Sequence, residues 1–337
     1  MKIIFPAFLL RISIRLQYLR NYYKVIKIKM NNILEVKNLT KVFTKNKTNF
    51  VAVDKISFTL KEGEILGILG PNGAGKTTTI QMLLGVLHPT SGQILYFGKD
   101  FTQYREEILE KVNFSSAYTN LPWNLTVREN LQYLSYLYTL SNRQQRIKRI
   151  IDLFRIEPLL NQPIEELSAG QLSRVNIAKA FLNFPKILLL DEPTASLDPE
   201  VAKYIRDFLL HEQEKFRTSI ILTSHNMAEV EEVCDRVIFI NYGKIVADDT
   251  PENLARSLQV CHINFLIRDG LKRMQEYAIK KKLNHNLDGR YITVDIKEKE
   301  IGHFLLDIAK KGIIFDEISI AKPTLEDYFL EKVYRPL

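Results

Sequence analysis

The segment that most restricts the fold is a glycine-rich stretch between an apolar run and a helical pattern. EILGILG (64–70) leads directly into GPNGAGKT (70–77), and KTTTIQMLLGVL (76–87) has helical spacing that stops before Pro89. A short apolar run is typical of a buried strand. Glycines between a strand and a helix let backbone N–H groups surround phosphate oxygens, and the helix start adds partial positive charge. This context predicts a nucleoside-triphosphate site.

The loop and the helix start also predict individual roles. The Lys76 ammonium would reach the β and γ phosphates, and the Thr77 hydroxyl would coordinate Mg²⁺. The nucleotide-binding residues predicted here are Gly70, Pro71, Asn72, Gly73, Ala74, Gly75, Lys76, Thr77 and Thr78.

A second apolar strand ends in two acids. ILLLDE (187–192) places Asp191 and Glu192 where the strand leaves the core. In open α/β sheets ligands bind beyond the carboxyl ends of the strands, so both acids should face the nucleotide. Asp191 would hold Mg²⁺ through water, and Glu192 would orient or deprotonate the attacking water. The alternative is an ordinary turn that caps the next helix.

The remaining pattern indicates an α/β fold followed by a smaller unit. Alternating strands and helices with apolar strands predict a mainly parallel sheet covered on both faces. After Thr250-Pro251 the pattern changes to a small α+β domain, which includes an Asp288-Gly289 turn and a last helix that begins at Thr324 with a capping box to Asp327. Further strands are predicted at 33–39, 51–60, 219–225 and 236–243, and helices at 127–157, 168–183 and 199–215.

The charge of the chain is concentrated at one end. The formal charge is +8, and residues 1–29 contain seven Lys or Arg and no Asp or Glu, so the other 308 residues are nearly neutral. We expect this basic extension to be disordered or a misassigned start; the alternative is an amphipathic arm on a membrane surface. No apolar run is long enough to cross a bilayer. Two distant cysteines predict a reducing compartment.

The segment LSAGQ (167–171) has no obvious chemical group, yet it opens a helix. Ser168 and Gln171 form a capping-box pattern, so an ordinary helix start is one interpretation. It does not explain Gly170 in the first turn, where glycine costs about 1 kcal/mol relative to alanine. Exposed N–H groups, a hydroxyl and little bulk are suited to receiving a γ-phosphate.

Together these motifs resemble the ATP-binding cassette (ABC) ATPases over about residues 33–250. LSAGQ is similar to the family signature LSGGQ, with Ala169 for the first glycine. The resemblance implies that Ser168, Gly170 and Gln171 contact ATP held by the opposite subunit of a head-to-tail dimer. It implies a D-loop at Ser196 to Asp198 and a γ-phosphate sensor at His225, where a structural histidine is the alternative. Phe43 would stack on adenine, with Phe50 as a substitute, or either could be core.

The fold implied is a P-loop NTPase cassette with a mixed sheet and a helical subdomain, followed by the small α+β domain. The expected units are the extension 1–29, an ATP-binding domain 30–250 with its helical subdomain at about 115–185, and an accessory domain 251–337. One position departs from the family. Ala117 replaces the usual glutamine, for which Ser116 or Tyr118 would have to compensate. Trp123 in the same loop would either pack on a membrane partner or join a local core.

The implied function is an ATPase subunit that dimerises, as a homodimer, around two ATP molecules with Mg²⁺ and drives an integral membrane permease. It would sit peripherally on the cytoplasmic face of the inner (plasma) membrane. KPTLEDYFLEKV (322–333) is similar to the tail of cassettes that serve ABC-2 exporters. The alternative is a soluble cassette ATPase acting on nucleic acid or the ribosome. A single near-neutral cassette without a basic stripe argues against nucleic acid as a partner. A regulatory binder without hydrolysis conflicts with Glu192.

Overall fold

A computed structural model describes residues 31–45, 48–116, 121–195 and 197–334 of the 337-residue chain. The expectations for the basic extension 1–29, for Ala117 and Tyr118, and for Ser196 therefore lie outside the described residues. Within the described ranges, no helix combines the length and the apolarity that crossing a bilayer requires.

Ten strands of the described residues precede position 250 and form two sheets. They are β1 (Asn32–Lys45), β2 (Thr48–Lys61), β3 (Ile65–Leu69), β4 (Ser91–Tyr96), β5 (Lys99–Asp100), β6 (Val112–Ser116), β7 (Ile187–Asp191), β8 (Ser219–Thr223), β9 (Arg236–Asn241) and β10 (Lys244–Asp249). One sheet has the order β2-β1-β4-β5 and is antiparallel. The other has the order β10-β9-β3-β8-β7-β6, with only the β10–β9 pair antiparallel. The predicted mainly parallel sheet is confirmed.

The helices up to residue 256 cover both faces of the larger sheet. They are α1 (Lys76–Leu83), α2 (Arg105–Leu109), α3 (Val127–Ser135), α4 (Arg143–Phe154), α5 (Ala169–Ala180), α6 (Pro199–Phe216), α7 (Met227–Val233) and α8 (Pro251–Arg256). Strand residues alternate between two apolar cores: Leu188 and Leu190 face one core, whereas Ile187 and Leu189 face the other. This alternation follows from the two-residue period of a strand and buries all of β7.

Three helix predictions were too long, and the one for 168–183 ends at Ala180. The helix predicted to reach residue 87 ends at Leu83, because Gly85 takes a φ of 68° that an α-helix does not allow. The helical block predicted for 127–157 is two helices, α3 and α4, and Asn142 precedes the second with a φ of 55°. The ring centroids of Phe154, Phe181 and Phe208 lie 4.6–5.8 Å apart, and these contacts pack α4 and α5 against α6.

The residues after 256 build a separate antiparallel sheet, here called the accessory sheet. Its elements are β11 (Val260–Asp269), α9 (Leu271–Lys280), β12 (His285–Asp288), β13 (Tyr291–Lys297), α10 (Ile301–Lys310) and β14 (Ile314–Ala321). The strand order β12-β13-β11-β14 is the split βαβ arrangement of ferredoxin-like domains. The predicted turn at Asp288-Gly289 joins β12 to β13, and Gly289 has a φ of 58°. Phe265, Val294 and Phe304 belong to a core of their own.

The tail of the chain returns to the first unit. The predicted capping box between Thr324 and Asp327 is present and starts the short helix α11 (Leu325–Tyr328), after which a π-helical segment covers Phe329–Tyr334. Leu325 is fully buried in the same core as β7, and the rings of Tyr328 and Phe329 pack on Phe239 of β9. The tail is therefore part of the core of the first unit and not a free end of the accessory sheet.

One histidine connects the tail to the accessory sheet. His262 Nδ1 lies 2.6 Å from Asp295 Oδ1, and its Nε2 lies 3.2 Å from Asp327 Oδ2. Burial alone would lower the pKa of His262, but the hydrogen bond and the charges of the two carboxylates outweigh it and raise the pKa above its ordinary value. His262 thus contacts one carboxylate of the accessory sheet and one of the tail helix, and it links that helix to β11.

Candidate nucleotide site

The loop between β3 and α1 has a backbone that requires glycine. Gly75 has a φ of 108°, and a Cβ there would lie 2.5 Å from the carbonyl oxygen of Ala52. Gly73 has a φ of 78° and has open space on the side where a Cβ would be. The chain can follow this path only because these residues lack side chains, and the open side of Gly73 leaves its backbone accessible to a phosphate.

Lys76 lies across this loop. Its Nζ donates hydrogen bonds to the carbonyl oxygens of Gly70 at 2.7 Å and Pro71 at 3.2 Å. Burial lowers the pKa of Lys76, and the negative charges of Glu192 and Asp191 oppose that change. The ammonium is thereby held between the loop and the two acids, where a polyphosphate would enter.

Thr77 and Asp191 lie close enough to share a cation. Thr77 Oγ1 is 3.4 Å from Asp191 Oδ2, and Asp191 ends the buried strand β7. Hydroxyl and carboxylate oxygens suit Mg²⁺, which usually takes one or two protein ligands and completes its shell with phosphates and water. Among the described residues, no group of three or more His, Cys, Asp or Glu side chains could hold a metal alone. The pair therefore fits a metal that arrives with a nucleotide.

Glu192 and His225 meet at the same edge of the sheet. Glu192 Oε2 lies 2.6 Å from His225 Nδ1. Helix α6 is capped by Asp198, so the interpretation of Asp191-Glu192 as a helix cap is wrong. The side chain of His225 is 73% exposed. The arrangement leaves one carboxylate oriented by an imidazole and open to water.

Thr223 is the site residue that the sequence reasoning missed. It is the last residue of β8 and is fully buried. Its hydroxyl donates to Asp191 Oδ1 at 2.6 Å and accepts from the Glu192 N–H at 3.1 Å. The available signal was a hydroxyl residue at the end of the apolar strand SIILT, two residues before His225.

The start of α5 has the predicted capping box. The Ser168 N–H donates to Gln171 Oε1 at 2.9 Å, and the Gln171 N–H donates to Ser168 Oγ at 3.3 Å. A Cβ built on Gly170 would lie 3.8 Å from Asp198 Oδ2, the nearest described atom outside its own helix. The structure thus places this helix start beside Asp198, and Ser168 is exposed.

The aromatic candidates are on the surface. Phe43 and Phe50 face each other across the β1–β2 hairpin and are 40% and 61% exposed, so the core alternative is wrong for both. Trp123 is 65% exposed, which contradicts its local core role. Ser116, proposed as a substitute for the missing glutamine, is buried at the end of β6, opposite Asp191.

Comparisons with known proteins point to one family. The family profile described as ABC transporter matches residues 53–195. The bacitracin transport ATP-binding protein BcrA of Bacillus licheniformis is 32% identical over 309 residues, 90% of this chain and 98% of the relative. A Nod factor export ATP-binding protein I of Cupriavidus metallidurans is 32% identical over 249 residues, 73% of this chain and 80% of the relative.

Solved structures show the same fold. A dimeric ATP-binding cassette in a post-hydrolysis state, bound to ADP and Pi, is 25% identical with a TM-score of 0.60 and covers 64% of this chain and 98% of its own. An ATP-binding subunit of an ABC transporter is 28% identical with a TM-score of 0.61 and covers 67% of this chain and 93% of its own.

Proposed function

Because the chain belongs to the ABC transporter ATP-binding proteins, a family of ATPases, we propose that loop 70–78 together with Asp191, Glu192 and His225 forms its hydrolytic site. The supporting observation is that Lys76, the Thr77–Asp191 pair and the Glu192–His225 pair converge at the carboxyl ends of β3, β7 and β8.

Each group then has a defined task. The loop amides and Lys76 hold the β and γ phosphates of ATP. Thr77 and Asp191 would hold Mg²⁺, and the ion would supply positive charge to the phosphate oxygens. Glu192 accepts a proton from the attacking water through its carboxylate, and His225, 2.6 Å away, keeps that carboxylate oriented. Phe43, exposed on its hairpin, offers a flat apolar face to the adenine.

The second half of each site comes from another copy of the chain. We propose that Ser168, Gly170 and Gln171 contact ATP held by the loop of the opposite subunit in a homodimer. The exposed helix start and its position beside Asp198 support this role, and a solved cassette of the family is a dimer. Each homodimer would then have two complete sites.

The proposed partner is a separate integral membrane permease, with this chain peripheral on the cytoplasmic face of the inner (plasma) membrane. Relatives described as a bacitracin transport protein and a Nod factor export protein support an exporter. Trp123, Tyr133, Tyr136 and Leu137 are exposed large apolar side chains in the helical segment and offer a surface to the permease. These relatives give no support to the alternative of a soluble ATPase that acts on nucleic acid or the ribosome.

The domain limits are part of the same proposal. We assign 30–250 to the ATP-binding domain, with the helical subdomain at about 115–185, and 251–337 to the accessory domain. The separate core of the accessory sheet supports this division. The docking of Leu325 in the first core ties the tail back to the ATP-binding domain.

The assignment of the base is tested with Glu192→Gln in the purified full-length chain. The variant should bind ATP as the wild type does but release phosphate at least about 100-fold more slowly, because an amide cannot accept the proton. Glu200→Gln makes the same change at an exposed position in the first turn of α6 and should leave turnover unchanged. Phosphate release by Glu192→Gln at a near-normal rate would overturn the assignment.

A further inference from the structure

The hydroxyl of Thr223 joins the two acids of the site. It has one proton, which it donates to Asp191 Oδ1 at 2.6 Å, and its lone pair accepts the Glu192 N–H at 3.1 Å. Asp191 Oδ1 is thereby occupied, and the other oxygen, Oδ2, faces Thr77 at 3.4 Å. The bond to Thr223 decides which carboxylate oxygen is presented to the cation position.

The same residue holds Glu192 in an unusual backbone conformation. Glu192 has a φ of 54°, in the left-handed region that side chains other than glycine rarely adopt. Its N–H also points to the carbonyl oxygen of Thr223 at 3.2 Å. Strained conformations at functional sites persist only when their surroundings fix them. Here the hydroxyl and the carbonyl oxygen of Thr223 both accept the Glu192 N–H, and the Glu192 carboxylate lies 2.6 Å from His225.

We propose that Thr223 is a positioning residue of the ATPase site, fixing Asp191 and Glu192 relative to each other. This role rests on the proposed function of those two acids. Thr223 is fully buried at the end of β8, so it touches neither nucleotide nor water and acts only through its neighbours.

Two substitutions separate the hydroxyl from the volume of the side chain. Thr223→Val keeps the shape and the backbone carbonyl but removes the hydrogen bonds that the hydroxyl makes to Asp191 and Glu192. The kcat for ATP hydrolysis should fall about 10-fold to 100-fold, while KM changes less than about threefold. Thr223→Ser keeps the hydroxyl and should remain within about threefold of the wild type. Thr218→Val is the matched control, because it changes a buried threonine in the turn before the same strand.

A second measurement does not depend on turnover. Mg²⁺ should increase the affinity of the wild-type chain for a non-hydrolysable ATP analogue. The Mg²⁺ gain, which is the ratio of the Kd without Mg²⁺ to the Kd with Mg²⁺, should be about 3-fold to 10-fold smaller in Thr223→Val but unchanged in Thr223→Ser. If Thr223→Val does not fold, Thr223→Ala takes its place. A Val variant with wild-type kcat and wild-type Mg²⁺ gain, or a Ser variant as impaired as Val, would overturn the proposal. A wild-type chain that binds the analogue without hydrolysing ATP would refute the proposed function instead, and the Mg²⁺ gain would still decide on Thr223.

Discussion

The tail of the chain permits a quantitative test of its role in the ATPase core. Leu325 is fully buried in the core that contains β7 and Phe239. Replacement by alanine removes buried apolar atoms and leaves a cavity, which in well-packed cores costs about 3 to 5 kcal/mol. For a unit of about 200 residues, such a loss lowers the Tm by about 6 to 20 °C.

The assay is thermal and urea-induced unfolding of the full chain. Leu330→Ala is the control, because this leucine lies in the same tail but is 48% exposed, and its replacement should cost less than about 0.5 kcal/mol. We expect the loss in Leu325→Ala to appear in the transition that also releases bound ATP. If the two alanine variants differ by less than about 1 kcal/mol, the tail does not contribute to the ATPase core as the packing indicates.

Two further predictions concern the dimer and the link to the accessory sheet. With Glu192→Gln present to block hydrolysis, cysteines at Ser168 and Asn72 should crosslink between protomers after ATP is added. The control pairs Ser168 with a cysteine at the exposed Asn286 and should not crosslink. Equal crosslinking yields in the two pairs would contradict the head-to-tail arrangement. The pKa of His262 is raised on folding, so its stabilising contribution is complete below its unfolded pKa of about 6.5 and is lost as the pH rises through the higher folded value. Thermal unfolding between pH 6 and 9 should therefore show a fall that His262→Gln removes, and an identical profile in that variant would contradict the link.

The sequence predicts those parts of the site that depend on local backbone rules. The loop needs glycine at position 75 whatever surrounds it, and an apolar strand that ends in Asp191-Glu192 must present both acids at a sheet edge. The capping boxes at Ser168 and Thr324 are equally local, because donor and acceptor lie within one helical turn.

Features that depend on distant partners could not be predicted. Strands β4 and β6 were not predicted, because SGQILY and VNFSS are short and partly polar and are defined by the strands beside them. Whether Phe43 and Trp123 are exposed depends on packing that no window of sequence contains. Thr223 acquires its role only when β7 and β8 lie side by side.

The order of strands in the larger sheet has a consequence for synthesis of the protein. Strand β3, which carries the phosphate loop, pairs Ile65 with Ile220 and Leu66 with Arg236, positions far later in the chain. A nascent polypeptide therefore lacks both neighbours of this apolar strand until β8 is synthesised, and lacks the second until β9 follows. A substitution that disrupts either late strand would therefore remove support from the strand that carries the phosphate loop, although the loop itself is unchanged.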